Sequence, residues 1–186
     1  PMKNLLYFIL FTVAAVVTAC SHGSHQQQLV QVDSLMGKFL RDSALEVFIQ
    51  INPDQLSSRQ EQMYYNILKV ELSCVSYHGD SLIFDTPVDS VISECIDYFE
   101  RNHDLRKLLL CYLYRGKIYT QNYHNYDKAA IWLKKAEELL DKVNDLRLSY
   151  QTYETLSALN YYTKNEDLYL EYSYKMLSRA EQSGIN

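Results

Sequence analysis

Ala129, Leu133, Ala136 and Leu140 fall at intervals of four, three and four, which places them on one face of an α-helix. Lys134, Lys135, Glu137 and Glu138 fill the opposite side, so Asp127–Asp141 reads as an amphipathic helix that must bury its stripe against a neighbour. Upstream, Tyr112, Gly116 and Tyr119 recur at four and three within a helix expected over Asp104–Gln121, and a polar turn, Asn122–Asn125, joins the two. Two helices with so short a turn pack antiparallel. The chain carries only 5 Gly and 3 Pro in 186 residues, too few turn formers for a β-sandwich or barrel. Its 47% hydrophobic content suffices for a core and excludes intrinsic disorder. A formal charge of −5 argues against nucleic-acid binding through phosphate attraction.

The pairing extends along the chain. Leu29–Phe39 leads to a helix that Asp42 is expected to cap and that reaches Ile51. Asn52-Pro53-Asp54 closes that unit. Ser58 opens a longer helix to Tyr77, with Glu61 three residues on as its capping-box partner. After a loop over His78–Val88, Asp89-Ser90 caps a helix over Val91–Arg101, and Asn102-His103-Asp104 turns into the clear pair. Leu146–Thr163 and Asp167–Gln182 form the last pair. Second helices thus begin near residues 43, 90, 127 and 166. Recurrence at this period predicts an all-α fold, an α-α superhelix or helical solenoid of about four helix pairs over residues 29–186.

The N-terminal segment reads as an address. Met2 and Lys3 precede an apolar run from Leu5 to Ala19, broken only by Thr12 and Thr18. A charged end before such a run is the pattern of a secretory signal, and the run is shorter than the ~20 residues a spanning helix needs. It ends in Val17-Thr18-Ala19-Cys20, which resembles the lipobox of bacterial lipoproteins. The resemblance implies that residues 1–19 are a signal peptide cleaved before Cys20, and that Cys20 carries the lipid. Two or three acyl chains on one residue anchor stably where one is marginal. A plain signal peptide with an incidental cysteine, or a weak membrane helix, are the other readings. Residues 20–28 follow as lipidated cysteine and polar tether; His22 and His25 have no third ligand nearby and read as part of that solvated linker.

The clear pair resembles a tetratricopeptide repeat (TPR). Gly116 and Tyr119 stand where that family has a small residue three before an aromatic, and Ala129 and Ala136 where it has two alanines seven apart. Leu133 takes the large position between them. In the last pair Ala158 and Tyr161 take the places of the glycine and the tyrosine; Trp132, the sole Trp, lies in the second helix where the family has it in the first. In order, Asp42–Leu45, Asp89–Phe99 and Tyr114–Tyr119 are similar to the N-terminal region of repeat lipoproteins common in Gram-negative gut anaerobes. The resemblance implies a concave groove lined by the first helix of each pair and suited to a helix or extended peptide. The family offset sets Leu113, Lys117, Thr120, Gln121, Thr155, Leu159 and Tyr162 along it.

Residues for chemistry are sparse. Cys74, Cys95 and Cys111 lie on apolar helical faces at no zinc spacing and read as free thiols. His78, His103 and His124 sit in turns without an acid or hydroxyl partner pattern. Glycine-rich phosphate loops, GxSxG and HExxH do not occur in the sequence. No catalytic residue, metal or cofactor is therefore expected. Tyrosine is the unusual component: seven of 17 lie between residues 150 and 174. Tyr153, Tyr162, Tyr169 and Tyr172 cannot all point inward, and packing against further repeats explains the excess better than a ligand patch. The expectation is a non-enzymatic, lipid-anchored scaffold that binds a protein or peptide at the cell envelope, on its periplasmic or surface face. An alternative is the N-terminal sensory region of a larger membrane-associated transcriptional regulator. A remote one is a glycan-processing enzyme, which would need convergent carboxylates.

Overall fold

A computed structural model describes residues 25–74 and 88–183, and among these the chain is helical with no strand. The signal peptide, Cys20, His22, His78 and the loop over 78–87 lie outside the described residues. Residues 25–37 form α1, followed by α2 (Arg41–Phe48), a 3-10 turn (Pro53–Gln55) and α3 (Arg59–Cys74). The order continues with α4 (Val88–Arg101), α5 (Leu105–Gln121), α6 (Tyr126–Glu137), the single turn α7 (Leu140–Val143), α8 (Leu146–Tyr162) and α9 (Glu166–Ser183). Two compact units divide at Leu68, within α3.

In the first unit, Leu29, Val32 and Met36 bury one stripe of α1, and Phe48 stacks on Tyr65 at 4.5 Å. Asp33 accepts a hydrogen bond from the buried Tyr64 hydroxyl. The expected capping box at the head of α3 is formed. Ser58 Oγ accepts from the Glu61 amide at 3.1 Å, and Glu61 Oε2 accepts from the Ser58 amide at 3.3 Å. Two expectations are corrected. Residues 25–28, assigned to the tether, are already helical, with the His25 ring within hydrogen-bond distance of Gln28 Oε1. Asp42 does not cap α2: the chain reverses through Phe39, at φ 58°, so Leu40 is the N-cap and Asp42 falls in the first turn.

The second unit repeats one junction four times. His103, His124, Asn144 and Lys164 each take a left-handed φ between 50° and 59°, and each is followed by an N-cap: Asp104, Asn125, Asp145 and Asn165. Each cap's side-chain oxygen accepts from the amide three residues on, of Lys107, Lys128, Leu148 and Leu168. The residue in the left-handed conformation ends one helix, and the Asp or Asn after it opens the next. Pairs α5–α6 and α8–α9 therefore share their junctions, and α8 packs against both α5 and α6. The helix expected over Asp127–Asp141 breaks after Glu137 and resumes as the turn Leu140–Val143, with Leu139 and Leu140 both buried at the break. Asp89 lies in the first turn of α4, where its carboxylate accepts from the Tyr119 hydroxyl at 3.0 Å and pairs with Arg115 at 3.3 Å.

The caps also fix the register between pairs. Asp104 and Asp145 are 41 residues apart, so Gly116 corresponds to Ser157 and Tyr119 to Asn160. Packing agrees. A Cβ on Gly116 would meet Leu133 Cγ and Cδ2 at 2.5 Å, and in the next pair Ser157 Oγ lies 2.8 Å from Ser173 Oγ. Each crossing is closed by a small residue on the first helix. Ala158 and Tyr161, assigned to the repeat core, are one residue out of register. Ala158 is half-buried and Tyr161 is 65% exposed, while Asn160 takes the buried place.

Candidate functional site

On α8 that shift of one residue, about 100° on a helix, turns two of the expected groove residues inward, and on α5, where the register is as expected, two more are buried as well. Leu113, Thr120, Thr155 and Leu159 are buried side chains occupied in packing, so they do not line an open face. Thr120 and Thr155 each return their hydroxyl to the carbonyl four residues back, Gly116 and Gln151. Lys117, Gln121 and Tyr162 do reach the surface side, Lys117 within 4.0 Å of Glu154 on α8. Gly116, Tyr119, Ala129, Leu133 and Ala136, read as structural, are buried.

An open cleft of about 650 Å³ lies at the turn from α8 to α9. Tyr161, Tyr162, Tyr169 and Leu170 form its walls, Asn160 its floor, and Lys164 and Glu166 its lips. The wall is built by ring contacts. Tyr162 stacks on Tyr126 at 6.0 Å with planes 9° apart, and Tyr161 packs edge-on to Tyr162 at 5.7 Å and against Tyr169 at 5.8 Å. Asn160 is held by donating from Nδ2 to the Leu156 carbonyl at 2.8 Å. Aromatic rings with one face packed and the other open present rigid apolar area with a polar tip. Sequence reasoning singled out the tyrosines but set Tyr161 inside and overlooked Asn160 and Leu170; the repeated cap spacing was the signal that would have placed them.

At its opposite end, α8 carries a polar interior. Arg147 and Glu71 form a buried ion pair at 2.6 Å, and the Tyr114 hydroxyl donates to the same carboxylate oxygen at 3.1 Å. Burial and the Glu71 charge push the Tyr114 phenol well above its ordinary pKa. This cluster lies within the packed helices, with Glu71 and Tyr114 fully buried and Arg147 nearly so. Two cations lie over the Trp132 ring, Arg115 at 4.3 Å and Lys135 at 4.7 Å. Cys95 and Cys111 are buried thiols in no disulfide, and burial together with a hydrogen bond to Cys95 raises the Cys111 thiol; Cys74 is likewise a thiol and half-buried. His103 and His124 are exposed at their junctions. Among the described residues no group of three His, Cys, Asp or Glu is placed to hold a metal, and no helix is long and apolar enough to cross a membrane.

Comparison with family models, curated proteins and solved structures finds no match. Function must therefore be argued from the chain's own residues.

Proposed function

We propose that this chain is a TPR-like helical scaffold that binds a protein or peptide partner at the cell envelope, held there by lipid on Cys20, and that it performs no chemistry itself. The aromatic cleft between α8 and α9 carries the reading. Its tyrosines expose large apolar faces at one end of a packed helix pair, the kind of surface that recognition sites use and that a stable fold has no need of. The anchor rests on the lipobox-like Val17–Cys20.

Photocrosslinking tests the binding. A benzophenone amino acid in place of Tyr161 is expected to yield a higher-mass adduct in intact cells, and the same group in place of Lys142, exposed on α7, is not. Equal yields at both sites would overturn the reading. For the anchor, Cys20→Ala is expected to leave the membrane fraction and to lose the mass of the lipid; retention at unchanged mass would refute it.

A further inference from the structure

The outward face of α9 has a composition its counterpart lacks. Caps Asn125 and Asn165, 40 residues apart, align Ala130, Lys134 and Glu137 of α6 with Leu170, Tyr174 and Leu177 of α9. On α6 the last two positions are charged. Lys134 pairs with Glu137 at 2.8 Å, and Glu137 is in turn met by Lys175 and the Tyr172 hydroxyl from α9. On α9 the same positions are apolar and open: Leu170 is 50%, Tyr174 70% and Leu177 53% exposed. Their spacing of four and three makes one stripe down the helix, and the stripe begins at the aromatic cleft, which Leu170 also lines.

Exposed acidic residues accompany this stripe: Glu166 and Asp167 flank its start, Glu171 lies to one side and Glu181 follows in line with it, with Lys164 at the cleft as the basic neighbour. Lys175 neutralises Glu171 at 2.6 Å, leaving the carboxylates of Glu166, Asp167 and Glu181 along the margin. We propose that the α9 face, with the adjoining cleft, docks a basic amphipathic helix from a separate protein partner: its apolar side on Leu170, Tyr174 and Leu177, an aromatic or long aliphatic side chain in the cleft, and Lys or Arg facing the acidic margin. Two observations favour this occupant. Helix against helix is how α6 and α8 are themselves covered, with Tyr162 laid on Tyr126 where α9 offers Glu166. The margin selects charge. A second copy packed antiparallel through the same stripe would set Glu181 against Asp167, and an anionic lipid surface would be repelled.

This inference rests on the partner-binding reading and narrows it. The test uses the intact chain and two labelled peptides of about 18 residues, five helical turns. They share one apolar face with a central Trp; one has Lys and Arg edges, the other Glu edges. Fluorescence anisotropy is expected to show the basic peptide binding at least about tenfold more tightly, with the preference shrinking in high salt. Tyr174→Lys together with Leu177→Lys is expected to lower that affinity by about tenfold or more, while circular dichroism stays unchanged because both side chains are exposed. Equal affinity for the two peptides, or full affinity in the variant, overturns the proposal. So does self-association of the chain, or binding to anionic vesicles, that the variant abolishes. Crosslinks from position 161 that persist alongside equal peptide affinities would sink the basic helix and leave partner binding standing.

Discussion

Pairs α5–α6 and α8–α9 are built from the same local parts. Both open on Asp caps, both turn through a left-handed residue into an Asn cap, and both cross at a small residue, Gly116 or Ser157. Their corresponding side chains nevertheless meet different surroundings. Arg106 and Arg147 stand at the same distance from their caps, yet Arg106 is 38% exposed and pairs with Asp145, whereas Arg147 is 7% exposed and pairs with buried Glu71. Tyr119 is covered and hydrogen-bonded to Asp89, while Tyr161 stands open. Local sequence sets where helices start and stop; the neighbours set which face becomes core.

The arginines offer the hardest test of that contrast. Arg147→Ala leaves Glu71 charged and buried without its cation, so urea unfolding is expected to show a loss of about 3–5 kcal/mol. Arg106→Ala removes a half-exposed pair and is expected to cost no more than about 1 kcal/mol. Equal losses would erase the distinction between the pairs. Among the tyrosines, Tyr119→Ala is expected to destabilise by about 3 kcal/mol through lost packing. Tyr161→Ala should change stability by less than about 0.5 kcal/mol while weakening binding of the basic peptide in the anisotropy assay.

Alkaline pH separates interior from surface more gently. Burial pushes the Cys74 thiol up to about 12, from an ordinary 9.0, and raises Tyr112, Tyr114 and Cys111 as well. For Cys74 the unfolded chain gives up its proton first, so its contribution is full below about 9 and is lost as pH rises toward about 12. The urea midpoint should fall above pH 9. A flat midpoint would contradict the burial of these groups. The smallest effect lies at the junctions. His124→Gly and Lys164→Gly relieve a left-handed backbone and should each stabilise by up to about 1 kcal/mol, seen as a higher thermal midpoint.

Much of the helical order was legible. The capping box at Ser58 and Glu61, the turn at Asn122–Asn125 and the stripe through Ala129, Leu133 and Ala136 all stand where spacing put them. The register of α8 was less so. Two small residues stand side by side there, Ser157 and Ala158, and only Ala158 has an aromatic, Tyr161, three residues on, so side-chain type alone favoured the wrong alternative. Only the cap at Asp145 counts the helix from a fixed origin.

Chain chemistry by itself determined the helical character of the described residues and most of their junctions, because periodicity, caps and turn residues act over a few neighbouring positions. Tertiary structure alone decided that Arg147 is interior and Tyr161 exterior, since burial depends on what another helix covers. A rotation of one residue changes that outcome without changing the helix.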